Sequence, residues 1–472
     1  MELDRTLCYR ALKSRDARFD GRFFTCVAST GIYCRPVCPA RLPLLANCRF
    51  VASAAAAQEL GFRPCLRCRP ECAPGAPAWR GTGAVAGRAL KLIADGALDD
   101  SGVDALAART GLGARQLRRL VRNHAGASPV ALARTRRILF AKRLIAETDL
   151  KFTDIAFASG FRSLRRFNAE MAAALGRPPR ALRKEGVRPE RDLLTLPLAY
   201  RPPYDWEGVL AFLRMRAVPG IECVTDGAYK RRFTLGPARG QVSVTHDAAK
   251  RALIVRIEID RLEWLDRLVT RLRAMFDLDA DPDAISGAFA GDPLIAPRFK
   301  AAPGLRLVQT FDPFEAGLRA IVGQQISVKG AATLLGRIVA RCRGDMPGAA
   351  GLAEADLSGC GLTGARIATL KAFAEFAGVP GAMDDLRFDL EAAIATLVAL
   401  PGFGPWTAQY LCLRGLAHTD AFPAGDLVLR QAAGLDGRAL AERAETWRPW
   451  RAYAAQALWR VPSLSSKDNS DA

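Results

Sequence analysis

Apolar and polar positions recur with two periods along this chain, and the changes of period mark out its segments. Between about Gly83 and Gly186 apolar residues repeat three and four positions apart, the spacing of amphipathic helices. Two stretches there carry an interruption. One runs from Val103 to Leu120, with Gly111 where a tight turn is required and Ala107 small enough for a helix crossing. The other runs from Phe152 to Phe167, with Gly160 in the turn. Each predicts a helix-turn-helix. Further on, Leu253, Val255, Ile257 and Ile259 alternate with Ile254, Arg256 and Glu258, which predicts a half-buried strand. Leu265, Leu268, Val269, Leu272 and Phe276 return to helical spacing, and from about Pro297 onward the pattern stays helical. Small-residue or polar breaks at Ala73-Pro-Gly-Ala-Pro-Ala78 and Gly186-Val-Arg-Pro-Glu-Arg-Asp192 read as linkers, and Ser463 to Ala472 as a disordered tail. The fold class expected is multidomain, mostly α with α+β parts.

Composition narrows the setting. A chain of 472 residues has room for about three domains, and 50% hydrophobic residues suffice to give each a core. No apolar run approaches the roughly 18 residues that cross a bilayer, and Met1 to Asp16 lacks the uncharged centre of a signal peptide. A cytoplasmic, nucleoid-associated protein with no membrane partner is expected. The net charge of +20 calls for a polyanion. The excess is concentrated: Arg115 to Arg188 holds 18 Lys and Arg against 5 Asp and Glu. No strongly apolar helix face accompanies it, which favours nucleic acid over a membrane surface.

Cysteine adds chemistry. Eight of the 12 cysteines lie within the first 72 residues, a local cluster that reads as a metal site rather than a disulfide framework. Cys34-x3-Cys38 and Cys65-x2-Cys68, joined by 26 residues, offer the four thiolates that tetrahedral Zn²⁺ prefers. Spacing alone fits a purely structural zinc knuckle, with Cys8, Cys26, Cys48 and Cys72 as inert buried thiols. The surrounding residues say more. Phe19-Asp-Gly-Arg-Phe23, Ser29-Thr-Gly-Ile-Tyr-Cys-Arg-Pro-Val-Cys38 and Gly61-Phe-Arg-Pro-Cys-Leu-Arg-Cys-Arg-Pro70 resemble the N-terminal domain of the Ada methylation-response family. The resemblance implies one Zn²⁺ held by Cys34, Cys38, Cys65 and Cys68, with Cys34 also accepting methyl groups from DNA phosphotriesters. A zinc-bound thiolate stays deprotonated and nucleophilic. Arg35, Arg41, Arg63, Arg67 and Arg69 stand ready for neighbouring phosphates. Methylating one of four thiolates takes the centre from about −2 to about −1, which should tighten DNA binding.

The basic helical segment resembles the AraC-type activator domain through Gly126-Ala-Ser-Pro129, the Arg136/Arg137 helix and Gly176-Arg-Pro-Pro-Arg-Ala-Leu-Arg183. Arg115, Gln116, Arg118 and Arg119, then Arg162, Ser163, Arg165 and Arg166, are the expected DNA-facing side chains of its two recognition helices. An activator of this kind also implies RNA polymerase as a further partner.

In the C-terminal half, Leu400-Pro-Gly-Phe-Gly-Pro-Trp-Thr-Ala408 is a helix-hairpin-helix signature, in which Gly402 and Gly404 would turn the backbone and expose amides to a DNA phosphate. Asp426 follows, before an apolar run where a lone Asp would ordinarily be an N-cap. The segment from Leu196 to about Trp459 resembles the AlkA family of 3-methyladenine glycosylases through Tyr200-Arg-Pro-Pro-Tyr-Asp-Trp206, Ala320-Ile-Val-Gly-Gln-Gln-Ile-Ser-Val328 and Trp447-Arg-Pro-Trp-Arg-Ala-Tyr453. The resemblance implies an α+β lobe before two helical lobes. Asp426 would be the catalytic carboxylate, and Trp406, Tyr410, Trp459 and Phe212 would line the base cleft. The wedge position, often apolar in the family, falls on Gln325. Trp406 occupies the place of the lysine that backbone-cutting relatives carry, and the iron–sulfur cysteine pattern is absent after Ala417. A monofunctional glycosylase without a cofactor is expected. Trp447 and Trp450 read as packing residues.

The expected organisation is therefore a zinc methyl-acceptor domain (1–78), an AraC-type domain (84–186), an α+β lobe (193–295), helix-hairpin-helix lobes (296–462) and a tail (463–472). The expected function is repair of alkylated double-stranded DNA by a monomer. It combines release of bases of the 3-methyladenine and 7-methylguanine class with a methylation-triggered transcriptional response. The alternative is an activator whose C-terminal lobe only binds DNA. No Pro-Cys-His-Arg acceptor motif occurs, so reversal of O6-methylguanine is not expected.

Overall fold

The computed structural model describes residues 3–74, 84–183 and 194–460. Residues 75–78 of the first expected linker, the break at 186–192 and the tail at 463–472 lie outside them. The chain forms two compact units, one built from Met1–Pro202, Thr225–Ala274 and Leu278–Asp281, the other from Pro203–Val224, Met275–Asp277 and Pro282–Ala472. Among the described residues no helix is long and apolar enough to cross a membrane.

The first unit opens with a helix, Arg5–Ser14, capped by Asp4, whose carboxylate accepts from the Thr6 and Leu7 amides; such a cap is worth about 1 kcal/mol. A four-stranded sheet follows, in the order Cys48–Val51, Phe24–Val27, Ile32–Cys34, Arg63–Pro64. The first three strands are antiparallel neighbours and the last joins in parallel. Phe24, Cys26, Tyr33 and Val51 pack beneath the alanine face of helix Ala54–Glu59, and Ala127 from the next segment belongs to the same cluster. Two segments that composition separates thus share one core.

Helix Pro129–Glu147, capped by Ser128 with Pro129 in its first turn, carries this joint. Its Lys142 pairs with Glu71 at 2.5 Å, and its Glu147 with Arg69 at 2.6 Å and Arg143 at 2.9 Å. Thr135 Oγ1 donates to the Gln58 carboxamide at 3.0 Å. Apart from Arg69 these charges are almost wholly buried, which is tolerable only because each is paired. Arg136 points inward too, onto Asp99 and Asp266.

Both helix-turn-helix patterns fold as expected. Val103–Arg109 leads to Ala114–Ala125 through Gly111, and Phe152–Ala158 to Leu164–Leu175 through Gly160, with both glycines left-handed at φ 70° and 76°. Ala107 is buried at the first crossing. The alternating segment is the strand Ala252–Ile259, which buries Leu253, Val255 and Ile257 while Arg256 and Glu258 face solvent. It lies between Leu194–Ala199 and Ala238–Asp247, all antiparallel.

The second unit is helical. Phe314 stacks on Phe373 at 5.2 Å between ring centres, and Phe373 meets Phe403 at 5.3 Å, tying helices Pro313–Val322 and Gly364–Gly378 to the hairpin. Trp447 and Trp450 are buried, as their reading as packing residues requires.

Candidate active site and metal centre

In the helical unit, the hairpin joins helix Leu390–Val398 to helix Pro405–Arg414. Gly402 sits at φ 77°, and a Cβ there would meet Thr369 Oγ1 at 1.9 Å, so glycine is obligatory on two counts. Gly404 departs from expectation. It is the N-cap, at φ −89°, and a Cβ on it would meet nothing within 4 Å. No side chain caps the helix there, so its first-turn amides lack a side-chain acceptor.

Trp406, Tyr410 and Arg414 follow one another at four-residue steps along that helix. Trp406 and Tyr410 stack with ring centres 5.1 Å apart, and Trp459, closing helix Arg451–Trp459, meets Tyr410 edge-on at 6.2 Å. Both indoles point their N–H at one carboxylate: Trp406 Nε1 donates to Asp426 Oδ2 at 2.9 Å and Trp459 Nε1 to Asp426 Oδ1 at 3.0 Å. Asp426 is also the N-cap of helix Leu427–Ala433, accepting from the Leu429 amide at 3.0 Å. The local reading as a cap and the reading as a site residue therefore describe the same side chain.

Phe212 joins this group from helix Trp206–Arg216, beneath two guanidiniums: Arg216 lies 4.0 Å and Arg414 4.4 Å from its ring centre. Arg414 also lies 4.9 Å from the Trp459 ring. Burial pulls the Arg414 pKa down to about 10, and its Nη1 donates to the Val308 carbonyl at 2.7 Å. Burial pushes the Tyr410 hydroxyl up, but the charges of Arg216 and Arg414 outweigh it and hold the phenol below its ordinary value. Sequence reasoning missed both arginines; the 406–410–414 spacing was the available signal for Arg414.

Gln325 is exposed, at φ 57°, a conformation costly for a residue with a Cβ. Its neighbour holds it there. The Gln324 carboxamide donates to the Gly402 carbonyl at 3.1 Å and to Thr407 Oγ1 at 2.9 Å, while Arg366 donates to the Gln324 carbonyl at 2.7 Å.

In the other unit, the sulfurs of Cys34, Cys38, Cys65 and Cys68 lie within 4.8 Å of one another. Tetrahedral Zn²⁺ with bonds of about 2.3 Å needs sulfurs roughly 3.8 Å apart, so the four residues fit it. The Arg35 amide donates to Cys68 Sγ at 3.3 Å, a bond that a zinc-bound thiolate would accept. Cys38, Cys65 and Cys68 are buried, whereas Cys34 is half-exposed. Among the spare thiols, burial pushes Cys8 up to about 11 and Cys26 up to about 12, consistent with inert packing groups. The arginines divide. Arg35 is held by Asp20 and donates to the Cys68 carbonyl, and Arg69 is held by Glu71 and Glu147, so these two serve the fold. Arg41, Arg63 and Arg67 are exposed.

On the first recognition helix Arg115, Gln116, Arg118 and Arg119 are all exposed while Leu117 and Val121 are buried. At the second, Arg165 and Arg166 on the helix and Arg162 and Ser163 just before it are exposed as well. There Arg162 donates to the Asp99 carbonyl, Arg166 pairs with Glu170 at 2.7 Å, and Ser163 is the N-cap.

Three family models match the chain: the metal binding domain of Ada over residues 7–71, a helix-turn-helix domain over 106–185 and the AlkA N-terminal domain over 195–312. The chain is 43% identical, over 96% of its length and 95% of the relative's, to the "probable bifunctional transcriptional activator/DNA repair enzyme AlkA" of Mycobacterium tuberculosis. It is 34% identical to DNA-3-methyladenine glycosylase 2 of Escherichia coli, covering 56% of this chain and 95% of that one. The 3-methyladenine DNA-glycosylase from Archaeoglobus fulgidus shares the fold, with a TM-score of 0.50 at 21% identity over 56% of this chain and 97% of that one.

Proposed function

This chain belongs to the family of bifunctional AlkA proteins, transcriptional activators joined to DNA repair glycosylases, and from that premise we propose how its two chemical centres work. The C-terminal centre releases alkylated bases of the 3-methyladenine and 7-methylguanine class as a monofunctional glycosylase. The observation that carries this is Asp426 held by two indole N–H groups at the edge of an aromatic cluster. A base alkylated at N3 or N7 is cationic, so it stacks well on electron-rich rings once flipped out and leaves without much acid help. The sugar left behind is oxocarbenium-like, and the Asp426 carboxylate stabilises that charge and orients the attacking water. The uncapped amides after Gly404 hold a backbone phosphate. Trp406 offers no amine, so no Schiff base forms and the strand stays intact.

The N-terminal centre is a zinc methyl acceptor. Cys34, Cys38, Cys65 and Cys68 would hold Zn²⁺, which when bound keeps the thiolates deprotonated. Cys34, the half-exposed member, takes the methyl group, and the two recognition helices place the chain on promoter DNA, with RNA polymerase as the further partner. The test is to incubate the protein and its Asp426→Asn variant with methylated duplex DNA and measure free bases and strand breaks. Release by the wild type alone, without breaks, supports the reading. A folded wild type that binds DNA and releases nothing would move the C-terminal lobe to a DNA-binding role only.

A further inference from the structure

A cavity of about 550 Å³ opens beside the cysteine cluster, with Cys34, Cys38 and Cys65 in its wall. Its lining is divided in a way that matches a particular ligand. Val27, Ile32, Leu66 and Leu175 give it an apolar interior. Lys13, Arg15, Arg41, Arg63, Arg67 and Arg177 supply cations, and among the described residues no acidic side chain lines it. A methylated DNA phosphotriester is a neutral, methyl-bearing group flanked on both sides by anionic phosphates. An apolar interior ringed by cations is complementary to that sequence of charges.

Two of these residues come from outside the cysteine-rich segment. Leu175 is the last residue of the second recognition helix, and Arg177 follows its left-handed C-cap, Gly176. The two segments touch there: a Cβ on Gly176 would meet the Arg63 guanidinium at 2.7 Å. Leu175 is buried, while Arg177 is exposed.

We propose that the second helix-turn-helix completes the methyl-acceptor site, with Leu175 forming part of the wall against the neutral triester and Arg177 binding a phosphate beside it. This rests on the reading of Cys34 as the acceptor. The Cys34 sulfur lone pair attacks the methyl carbon, the S–C bond forms as the C–O bond breaks, and the phosphate leaves as a diester anion; no proton moves. The new anion is formed among cations, which favours transfer. One DNA backbone thus runs from the cavity onto the second recognition helix, and repair and docking occur on the same strand.

The experiment uses the full chain, loaded with zinc, and a duplex carrying a single methylphosphotriester. Methyl transfer is followed by the mass of the Cys34 peptide, and duplex affinity is measured across a salt series. Arg177→Ala should slow transfer about tenfold, the loss of one charge-assisted phosphate contact. It should also flatten the slope of log affinity against log salt by about 0.9, one phosphate's worth. Arg177→Lys should restore most of both, and zinc content should not change in either variant. Transfer at the wild-type rate with an unchanged slope in Arg177→Ala overturns the inference alone. A wild type whose Cys34 never gains a methyl overturns the acceptor reading, and the inference with it.

Discussion

Two aspartates of the helical unit each receive an indole N–H, and they differ in what else they hold. Asp292 accepts from Trp447 Nε1 at 2.7 Å, from the Leu294 and Ile295 amides at 2.9 Å each, and from Arg443 at 2.5 Å. Burial would push its carboxyl up, but these bonds and the Arg443 charge outweigh burial and hold it below the ordinary range. Asp426 has two indoles and one backbone amide on its oxygens, all neutral donors. Hydrogen bonding orients a carboxylate; ion pairing also answers its charge. Asp292 is answered within the protein and clamps Trp447 in place. Asp426 is oriented by neutral donors, with the Arg414 charge near it but not hydrogen-bonded to it, and under the proposed mechanism it faces the cation that forms during base release.

The same substitution at both positions puts the largest strain on this contrast. Asp426→Asn should lower base release by roughly 10²- to 10³-fold. It should cost about 1 kcal/mol of stability, because Asn still caps the helix but turns an amide toward one indole N–H. Asp292→Asn should cost about 2–3 kcal/mol in denaturant unfolding while base release per folded molecule holds. Equal losses of release at the two sites would erase the distinction. Acid sharpens it next. The stability Asp292 adds is fully present above the unfolded carboxyl value of about 3.9 and is lost as pH falls through its lower folded value. The acid limb of stability against pH should therefore be shallower in Asp292→Asn than in the wild type, and coincident limbs would remove Asp292 as a source of acid sensitivity. The smallest effects come from the indoles. Trp447→Phe should cost about 1 kcal/mol of stability, whereas Trp406→Phe should slow base release by roughly tenfold or less with little change in unfolding.

What the sequence made legible follows from range. The turn glycines of the two helix-turn-helix units, the alternating strand at Ala252–Ile259 and the paired cysteines are local patterns, and each stands where its spacing placed it. Contacts made across the chain leave no local pattern, and only the family resemblance grouped Trp459 and Phe212 with Asp426. Trp459 is 33 positions from Asp426, and Trp447 is 155 from Asp292, so neither bond leaves a periodic trace. Charge was the least reliable guide. Arg35 and Arg69 count toward a basic surface by composition, yet both spend their charge on buried acids. Arg414 is wholly interior. Gly404 resembles Gly402 in the motif, but only backbone geometry separates a glycine that must be one from a glycine that need not be.

The joint along helix Pro129–Glu147 bears on how such a protein can be assembled and dismantled. The cysteine-rich segment leans its alanine face on Ala127 and lodges Glu71 against Lys142, so its boundary in sequence is not a boundary in space. Cut at the linker, it would carry away a bare apolar patch and half of a charge network. The cysteines and the long helix form one packed body, and a graft meant to transplant the four-cysteine centre should include residues through 183 rather than stop at 74.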